Sequence, residues 1–173
     1  MEKLTEKFKT QIDELKLSTA KEITLLCDEA NATIGIARSI SVSEQTLTIL
    51  LEIQKDLYQI MAEIAASPEN TSKFKKITFE RVEWIESQIA KISQQVVVPN
   101  EFIVPGDSKS GAVIDLARTI IRRAERRTAY LIHNNILQNI ELLRYLNRLS
   151  SLCYALELLE IKTSGKNTPT LIK

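Results

Sequence analysis

Apolar residues recur every three to four positions along most of this 173-residue chain. That spacing places them on one face of an α-helix, whereas alternation at every second position would indicate a strand. The pattern runs through five segments that are separated by polar breaks or by one longer loop. It predicts an all-α, up-and-down five-helix bundle, with helices over about 18–40, 43–67, 77–96, 111–133 and 136–162.

The breaks between these segments suit helix ends. Ser18 or Thr19 is predicted to cap the first helix, because a side-chain oxygen there can accept a hydrogen bond from the first turn. Pro68 is predicted to end the second helix, since proline cannot continue one. The polar segment "HNN", residues 133–135, separates the fourth and fifth helices.

Two ends of the chain lie outside the predicted bundle, which covers residues 18–163. Residues 1–17 are expected to form an N-terminal extension or an extra helix, and residues 164–173 a flexible polar tail. Inside the bundle, the one long irregular stretch is "VVPNEFIVPGDSKSG", residues 97–111. A long loop in a compact bundle is more often functional than a plain connector.

The composition agrees with a single globular domain, with 44% apolar and 26% charged residues. Four glycines and four prolines are too few for the many turns of an all-β fold. A net charge of +1 draws the chain neither to nucleic acid nor to a membrane. No apolar run approaches the roughly 20 residues of a spanning helix, and the charged start "MEKLTEKFKT" is unlike a signal peptide. We therefore expect a cytoplasmic protein in which Cys27 and Cys153 are buried thiols.

The segment "ARTIIRRAERR", residues 117–127, is unusually rich in arginine. On a helix its arginines form two stripes, Arg118, Arg122 and Arg126 in the first and Arg123 and Arg127 in the second. Guanidinium groups suit two-point contacts with carboxylate or phosphate oxygens. The stripes therefore fit either an ion-pair network with acids of other helices or subunits, or a triphosphate site. A nucleic-acid face fits less well, because no aromatic residues interleave with the arginines.

Three other residues each have a structural and a functional interpretation. Phe102, in the long loop, either packs into the core or closes over a flat apolar ligand. Asn147 interrupts the apolar pattern of the last helix, where asparagine costs helix propensity, so it either makes a buried structural hydrogen bond or contacts a ligand. His133, the only histidine, is expected to be solvated or to cap a helix end. The sequence contains no catalytic triad, paired-carboxylate site or cluster of metal ligands.

Five stretches of the chain match, in order, the motifs of one known family. "CDEANATIGIARS" is similar to its segment DELNA-IG-AR, and "IQKDLYQIMAEIA" to IQ-DLF-LGAELA. "ITFERVEWIESQI" is similar to the helix before the loop, and "FIVPGDSKSGAVIDLARTIIRRAER" to F-LPGG-…-A-LH-ARTV-RRAER. "YLNRLSSL" is similar to YLNRLSDL. Together these stretches cover residues of about 27–157, and in them the chain resembles the PduO-type ATP:cob(I)alamin adenosyltransferase family.

The resemblance implies a homotrimeric five-helix bundle with active sites between neighbouring subunits. It also implies transfer of the 5′-deoxyadenosyl group of ATP to the cobalt of a reduced corrinoid (cobalamin), with Mg²⁺ and with release of triphosphate. ATP contacts are implied for Arg122, Arg123, Glu125, Arg126 and Asn147. Arg118 matches an arginine that family members pair with the acid at Asp28, near a subunit boundary. Phe102 matches an aromatic residue that lies against the corrin. The resemblance thus implies Arg118, Asp28 and Phe102 as the catalytic residues.

The chain departs from the family pattern mainly on the ATP side. The family's phosphate loop, T-x-x-G-D-x-G-x-T, has no counterpart, because no glycine precedes Gly35. Asp107 stands where the family loop has a second glycine, Asp115 where it has histidine, and Ser151 where it has aspartate. Three hypotheses follow: an active adenosyltransferase, a catalytically degenerate relative that binds a corrinoid or similar flat ligand as carrier or regulator, and a purely structural bundle.

Overall fold

The computed structural model describes residues 2–66, 74 and 76–172, and that part of the chain contains five α-helices. They are α1 (Glu2–Ile40), α2 (Glu44–Ala65), α3 (Phe79–Ser93), α4 (Lys109–His133) and α5 (Ile140–Thr163). The predicted all-α, five-helix architecture is therefore confirmed. The break predicted at Pro68 lies outside the described residues. None of the described helices is both long and apolar enough to cross a membrane.

The core lies where the apolar faces of the helices meet. α1 packs against α2 and α4, while α5 packs against α3 and α4 and makes a smaller contact with α2. Each apolar stripe predicted from the sequence points inward, because burial of its side chains is the main favourable term in folding. The largest fully buried side chains include Ile23, Ile34, Leu50, Ile53, Leu57, Ile85, Ile114, Ile121 and Tyr145.

A buried polar cluster ties α2, α3 and α5 together. The Tyr145 hydroxyl donates to Asp56 Oδ2 at 2.6 Å, and Arg81 Nη2 donates to the same oxygen at 2.5 Å. The Arg81 guanidinium carbon lies 4.4 Å from the centre of the Trp84 ring, in a cation–π contact. Burial, followed by the Asp56 charge, raises the pKa of Tyr145 well above its ordinary value. The phenol therefore stays a neutral donor and holds α5 in place.

The first helix is longer than predicted. α1 runs without a break through Ser18 and Thr19, so neither residue is an N-cap. Thr19 lies inside the helix, where its hydroxyl donates to the Leu15 carbonyl at 2.9 Å. The capping prediction is wrong because the apolar spacing weakens before this point although the residues there remain good helix formers. The division between residues 1–17 and 18–163 stays a prediction.

The turn between α4 and α5 forms where the sequence predicts it. Asn134 caps the end of α4, and Asn135 has a φ of 56°, in the left-handed region that asparagine tolerates. Asn139 then begins α5, with its side chain accepting the Glu141 amide at 3.1 Å. This short connection makes α4 and α5 antiparallel neighbours, and His133, as the last residue of α4, is exposed.

The tail after α5 lies against the loop between α3 and α4. A single antiparallel bridge joins Ile103 to Leu171. Residues 164–172 thus contact the loop in this structure, and the flexible tail expected for 164–173 stays a prediction. The polar composition of the tail gave no sign of this contact, because its partner is a loop far earlier in the chain.

Candidate functional site

The candidate site is built along α4, the helix that carries the arginine-rich segment. α4 begins where the Ser108 hydroxyl accepts the Gly111 amide at 3.0 Å. Gly111 lets this first turn approach α5 closely, since a β-carbon there would lie 2.4 Å from Ser108 Oγ and 3.3 Å from the Glu157 carbonyl oxygen. From this point one side of α4 faces α5, and the other side faces α1.

The α1-facing side carries two arginines in exposed ion pairs. Arg123 Nη2 lies 3.1 Å from Glu29 Oε2, and Arg127 Nε lies 3.0 Å from Glu22 Oε1. All four side chains are about half exposed. The ion-pair interpretation of the arginine stripes therefore holds for these two residues in this structure. Exposed pairs contribute roughly 0–1 kcal/mol, so Arg123 can exchange Glu29 for another anion at little cost.

On the α5-facing side, Arg122, Glu125 and Asn147 form one polar cluster. Asn147 Nδ2 donates to Glu125 Oε1 at 2.7 Å, and Arg122 Nη1 lies 3.7 Å from Glu125 Oε2. Arg126 lies one turn further on, and its Nε donates to the Arg122 carbonyl at 3.3 Å. The structure thus brings together four of the five predicted ATP contacts, while Arg123 points to the other side of α4. Asn147 is exposed, so its hydrogen bond is not the buried structural one considered above.

A cavity of about 340 Å³ opens between the loop, α4 and α5. It is lined by Asn100, Glu101, Phe102, Ile103, Pro105, Asp115, Arg118 and Tyr154. Phe102 is 84% exposed, so the alternative that it packs into the core is wrong. Two of the three residues predicted to be catalytic, Phe102 and Arg118, therefore line one cavity.

The third residue of that group, Asp28, does not meet Arg118 within this chain. Arg118 Nε donates to Asp115 Oδ1 at 2.6 Å, one turn back along the same helix. Asp28 lies exposed on α1. The pairing of Arg118 with Asp28 therefore stays a prediction about neighbouring subunits.

Tyr154 belongs to the cavity but was missed in the sequence. It follows Asn147 by two helical turns and so shares its face of α5, a spacing that would have identified it. Burial, followed by the nearby Glu157 carboxyl, raises the pKa of the Tyr154 phenol. The cavity wall contributed by α5 therefore carries a neutral hydroxyl on an aromatic ring.

Glu157, one turn beyond Tyr154, is a buried acid that sequence reasoning also missed. It is fully buried, and within the described part of the chain neither of its carboxylate oxygens has a hydrogen-bond partner. Burial, followed by the charge of Asp115, raises its pKa to about 7, although Arg118 acts in the opposite direction. No spacing in the sequence signals this residue, because a glutamate in an α5-like helix ordinarily faces solvent.

The described residues offer little other chemistry. Cys27 and Cys153 are buried, as predicted, and burial raises the pKa of each thiol to about 12, so neither is a nucleophile at neutral pH. Among the side chains that the structure describes, no group of three or more histidine, cysteine, aspartate or glutamate residues is placed to hold a metal ion.

The fold and the site define a class of protein: an all-α bundle in which one arginine-rich helix lines a cavity and, one turn further on, carries a cluster of arginine, glutamate and asparagine side chains. The sequence model of the cobalamin adenosyltransferase family matches residues 13–160. This chain belongs to the cobalamin adenosyltransferase family, which confirms the resemblance seen in its five motifs.

Two proteins with similar sequences are named corrinoid adenosyltransferases. The corrinoid adenosyltransferase PduO of Salmonella typhimurium is 35% identical over 130 residues, and the corrinoid adenosyltransferase of Bacillus subtilis is 36% identical over 132 residues. The alignments cover 75% and 74% of this chain. They cover 38% of the Salmonella protein and 67% of the Bacillus protein, so this chain spans well under half of the first relative's length.

Solved structures of one relative share the fold. A phenylalanine-to-histidine variant of the PduO-type ATP:corrinoid adenosyltransferase from Lactobacillus reuteri, complexed with cobalamin and ATP, has a TM-score of 0.77 at 26% sequence identity. The match covers 90% of this chain and 84% of that chain. An arginine-to-lysine variant from the same organism, complexed with ATP, has a TM-score of 0.76.

Proposed function

We propose that this protein is a corrinoid adenosyltransferase, which transfers the 5′-deoxyadenosyl group of ATP to the cobalt of cob(I)alamin or a related reduced corrinoid. The observation that carries the proposal is the adjacency of two sites along α4 and α5. Arg118, which lines the cavity together with Phe102, lies one helical turn before Arg122 of the Arg122–Glu125–Asn147 cluster. Family membership and the cobalamin and ATP complexes of the Lactobacillus relative support both ligands.

The arginine cluster is proposed to bind the triphosphate of ATP. The Arg122 side chain is 48% exposed, and its Nη1 lies 3.7 Å from Glu125 Oε2, which is longer than a hydrogen bond. Its forked donors are therefore available to phosphate oxygens. Glu125 and Asn147 hold each other in place and fit the nucleotide's sugar and base edges as acceptor and donor. Arg123 and Arg126 supply further positive charge on either side of Arg122.

The cavity end is proposed to receive the corrinoid, with the exposed Phe102 ring against its apolar plane. A cobalt(I) centre is already a strong nucleophile, so the protein need not provide a general base. The cobalt electron pair forms the cobalt–carbon bond while the bond from the 5′ carbon to triphosphate breaks. Positioning of the two substrates and stabilisation of the leaving triphosphate are then what the protein contributes.

Magnesium enters the proposal with the nucleotide. Within the described residues no side-chain group is arranged to hold a metal ion, whereas phosphate oxygens are ordinary Mg²⁺ ligands. We propose that Mg²⁺ arrives bound to ATP and shares its charge with the arginines. Because ATP and reduced corrinoids are both available in the cytoplasm, we place the protein there.

We propose that three copies form the working unit, with a site at each subunit boundary. Leu25 and Ile36 on α1 and Leu116 on α4 are exposed apolar side chains, which favours an interface on this side of the bundle. Asp28 lies one turn from Leu25, so a neighbouring subunit is proposed to bring it to Arg118. Sedimentation of the protein should give the mass of a trimer, and a monomer at tens of micromolar would contradict this arrangement.

A transfer assay tests the function. The protein is mixed with MgATP and chemically reduced cob(I)alamin without oxygen, and the visible spectrum is followed for conversion to adenosylcobalamin. Triphosphate is measured in the same samples. We expect both products in equal amounts, and heat-treated protein serves as the control. Absence of adenosylcobalamin above that control would contradict the proposal.

A second candidate function is a corrinoid-binding relative without transfer activity. It is favoured by α1, which is one continuous helix over Glu2–Ile40, where the family pattern has a glycine-rich phosphate loop. If this candidate is correct, the protein binds cobalamin but not MgATP. Binding of MgATP therefore distinguishes the two candidate functions.

A further inference from the structure

The tail after α5 is paired with the backbone that carries Phe102. The Ile172 amide donates to the Phe102 carbonyl at 2.9 Å, and the Val104 amide donates to the Thr170 carbonyl at 2.8 Å. These two hydrogen bonds flank the antiparallel bridge described above. The tail therefore holds the backbone at Phe102 and at Val104, the two residues on either side of Ile103.

Asp107 fastens the tail to the base of the loop. Its Oδ2 accepts the Thr170 amide at 2.6 Å, and its Oδ1 accepts the Thr170 hydroxyl at 3.0 Å. The same carboxylate forms an ion pair with the Lys166 ammonium. The Lys166 hydrogen bond, followed by that of the Thr170 amide, lowers the pKa of Asp107. The glycine that stands here in the family pattern has no side chain to make these contacts.

Two glycines give the chain the turns that this contact needs. Gly106 has a φ of 130° and Gly165 a φ of 90°, both in the region that other residues rarely adopt. Gly106 directs the loop so that Asp107 faces the tail. Gly165 turns the chain at the end of α5 and sends it back toward the loop, which brings Lys166 to Asp107.

We propose that residues 164–172 form a latch that fixes the loop and so positions Phe102 at the mouth of the cavity, with Asp107 as the positioning residue that closes it. The Phe102 ring is 84% exposed, so its position depends on its backbone more than on packing. Ordering the loop residues costs conformational entropy, which the latch contacts offset. The consequence for catalysis rests on the proposed function, whereas the latch itself does not.

Hydrogen–deuterium exchange of the free protein tests the latch. In Asp107→Ala, a peptide covering residues 101–106 should exchange about tenfold faster or more, because local opening becomes easier. Asp107→Asn keeps one acceptor and should lie between that variant and the unmodified protein. Lys109→Met, which removes an exposed lysine outside the latch, is the control and should change nothing. Unchanged slow exchange in peptides of α4 and α5 verifies folding, and unchanged exchange of 101–106 in Asp107→Ala overturns the latch.

Transfer kinetics test the positioning role. Asp107→Ala should lower kcat about five- to tenfold, as expected when a reacting group is displaced, and leave the KM for MgATP unchanged because the latch is remote from the arginine cluster. Faster loop exchange with an unchanged kcat overturns the positioning role. If the unmodified protein transfers no adenosyl group, the proposed function fails. The role is then decided by affinity for cob(II)alamin, which Asp107→Ala weakens if the latch positions Phe102 and leaves equal if it does not.

Discussion

Both sides of α4 carry arginines, but the arginines on the two sides pair with different kinds of acid. Facing α1, Arg123 and Arg127 pair with exposed glutamates of another helix. Facing α5, Arg118 and Arg122 pair with acids of their own helix, Asp115 and Glu125. Those two acids are mostly buried, with side-chain exposures of 14% and 15%, and Asp115 lines the cavity.

The difference separates two arginines in exposed ion pairs from two arginines that we propose to contact a ligand. An exposed pair between helices gains little in water and is screened by salt. An arginine beside a mostly buried acid keeps donors that are free for a second anion. The motif resemblance assigns Arg123 to ATP as well, and in this structure that role requires it to leave Glu29. The two sides should therefore respond differently to substitution.

The largest expected effect is on nucleotide affinity. Arg122→Ala removes a charged donor from the proposed triphosphate site and should weaken MgATP binding about 10- to 100-fold, the value of a charged hydrogen bond of roughly 1.5–3 kcal/mol. Arg127→Ala removes the same side chain from the α1-facing side and is the matched control. Calorimetric titration measures both, and equal losses in the two variants would erase the distinction between the sides of α4.

The next largest effect is on the pH dependence of the unfolding free energy, and it comes from Glu157 of α5. The ordinary pKa of Glu157 is 4.5 and burial raises it to about 7 in the folded chain. Between these values the folded chain holds a proton that the unfolded chain has lost, so the unfolding free energy falls as pH rises through this window. Glu157→Gln should remove that loss and stabilise the protein at pH 8 by roughly 1–3 kcal/mol, because the amide is uncharged at every pH.

Urea denaturation at pH 5 and pH 8 measures this effect. The unmodified protein and Glu157→Gln should differ more at pH 8 than at pH 5. Glu22→Gln changes an exposed glutamate of the α1-facing side and corrects for general charge effects. If Glu157→Gln and Glu22→Gln show the same pH dependence, Glu157 is not the buried acid described here.

A smaller effect is expected at Asn147. Asn147→Ala removes the hydrogen bond to Glu125 and a donor to the nucleotide, and it should weaken MgATP binding by roughly 0.5–1.5 kcal/mol, the net value of a neutral hydrogen bond. Asn134→Ala, at the exposed end of α4, is the control. A variant that binds MgATP as tightly as the unmodified protein would remove Asn147 from the site.

The smallest effect is expected on the α1-facing side. Glu22→Gln breaks the exposed pair with Arg127 and should lower the unfolding free energy by less than about 1 kcal/mol. The loss should vanish in 1 M salt, where the screening length falls to about 3 Å. A loss of several kcal/mol that survives salt would mean that this side, too, is a specific structural contact.

The parts of the molecule that depend on local spacing were predictable from the sequence. The spacing of apolar residues predicted the helices, and the spacing of the arginines predicted two stripes along α4. Which acids those arginines pair with became clear only from the structure. The parts that depend on contacts between distant segments were not predictable. In the sequence Asp107 is only a departure from the family's glycine, and its contacts with Lys166 and Thr170 appear only in the structure. Glu157 looks like a surface acid in the sequence, but in the structure the first turn of α4 covers it.

Titration of the intact protein with MgATP is the most direct test of the central claim, that the α5-facing side of α4 is a nucleotide site. We predict saturable binding with a dissociation constant below about 1 mM, within the range in which enzymes hold their substrates. The absence of saturable binding at millimolar MgATP would contradict the claim.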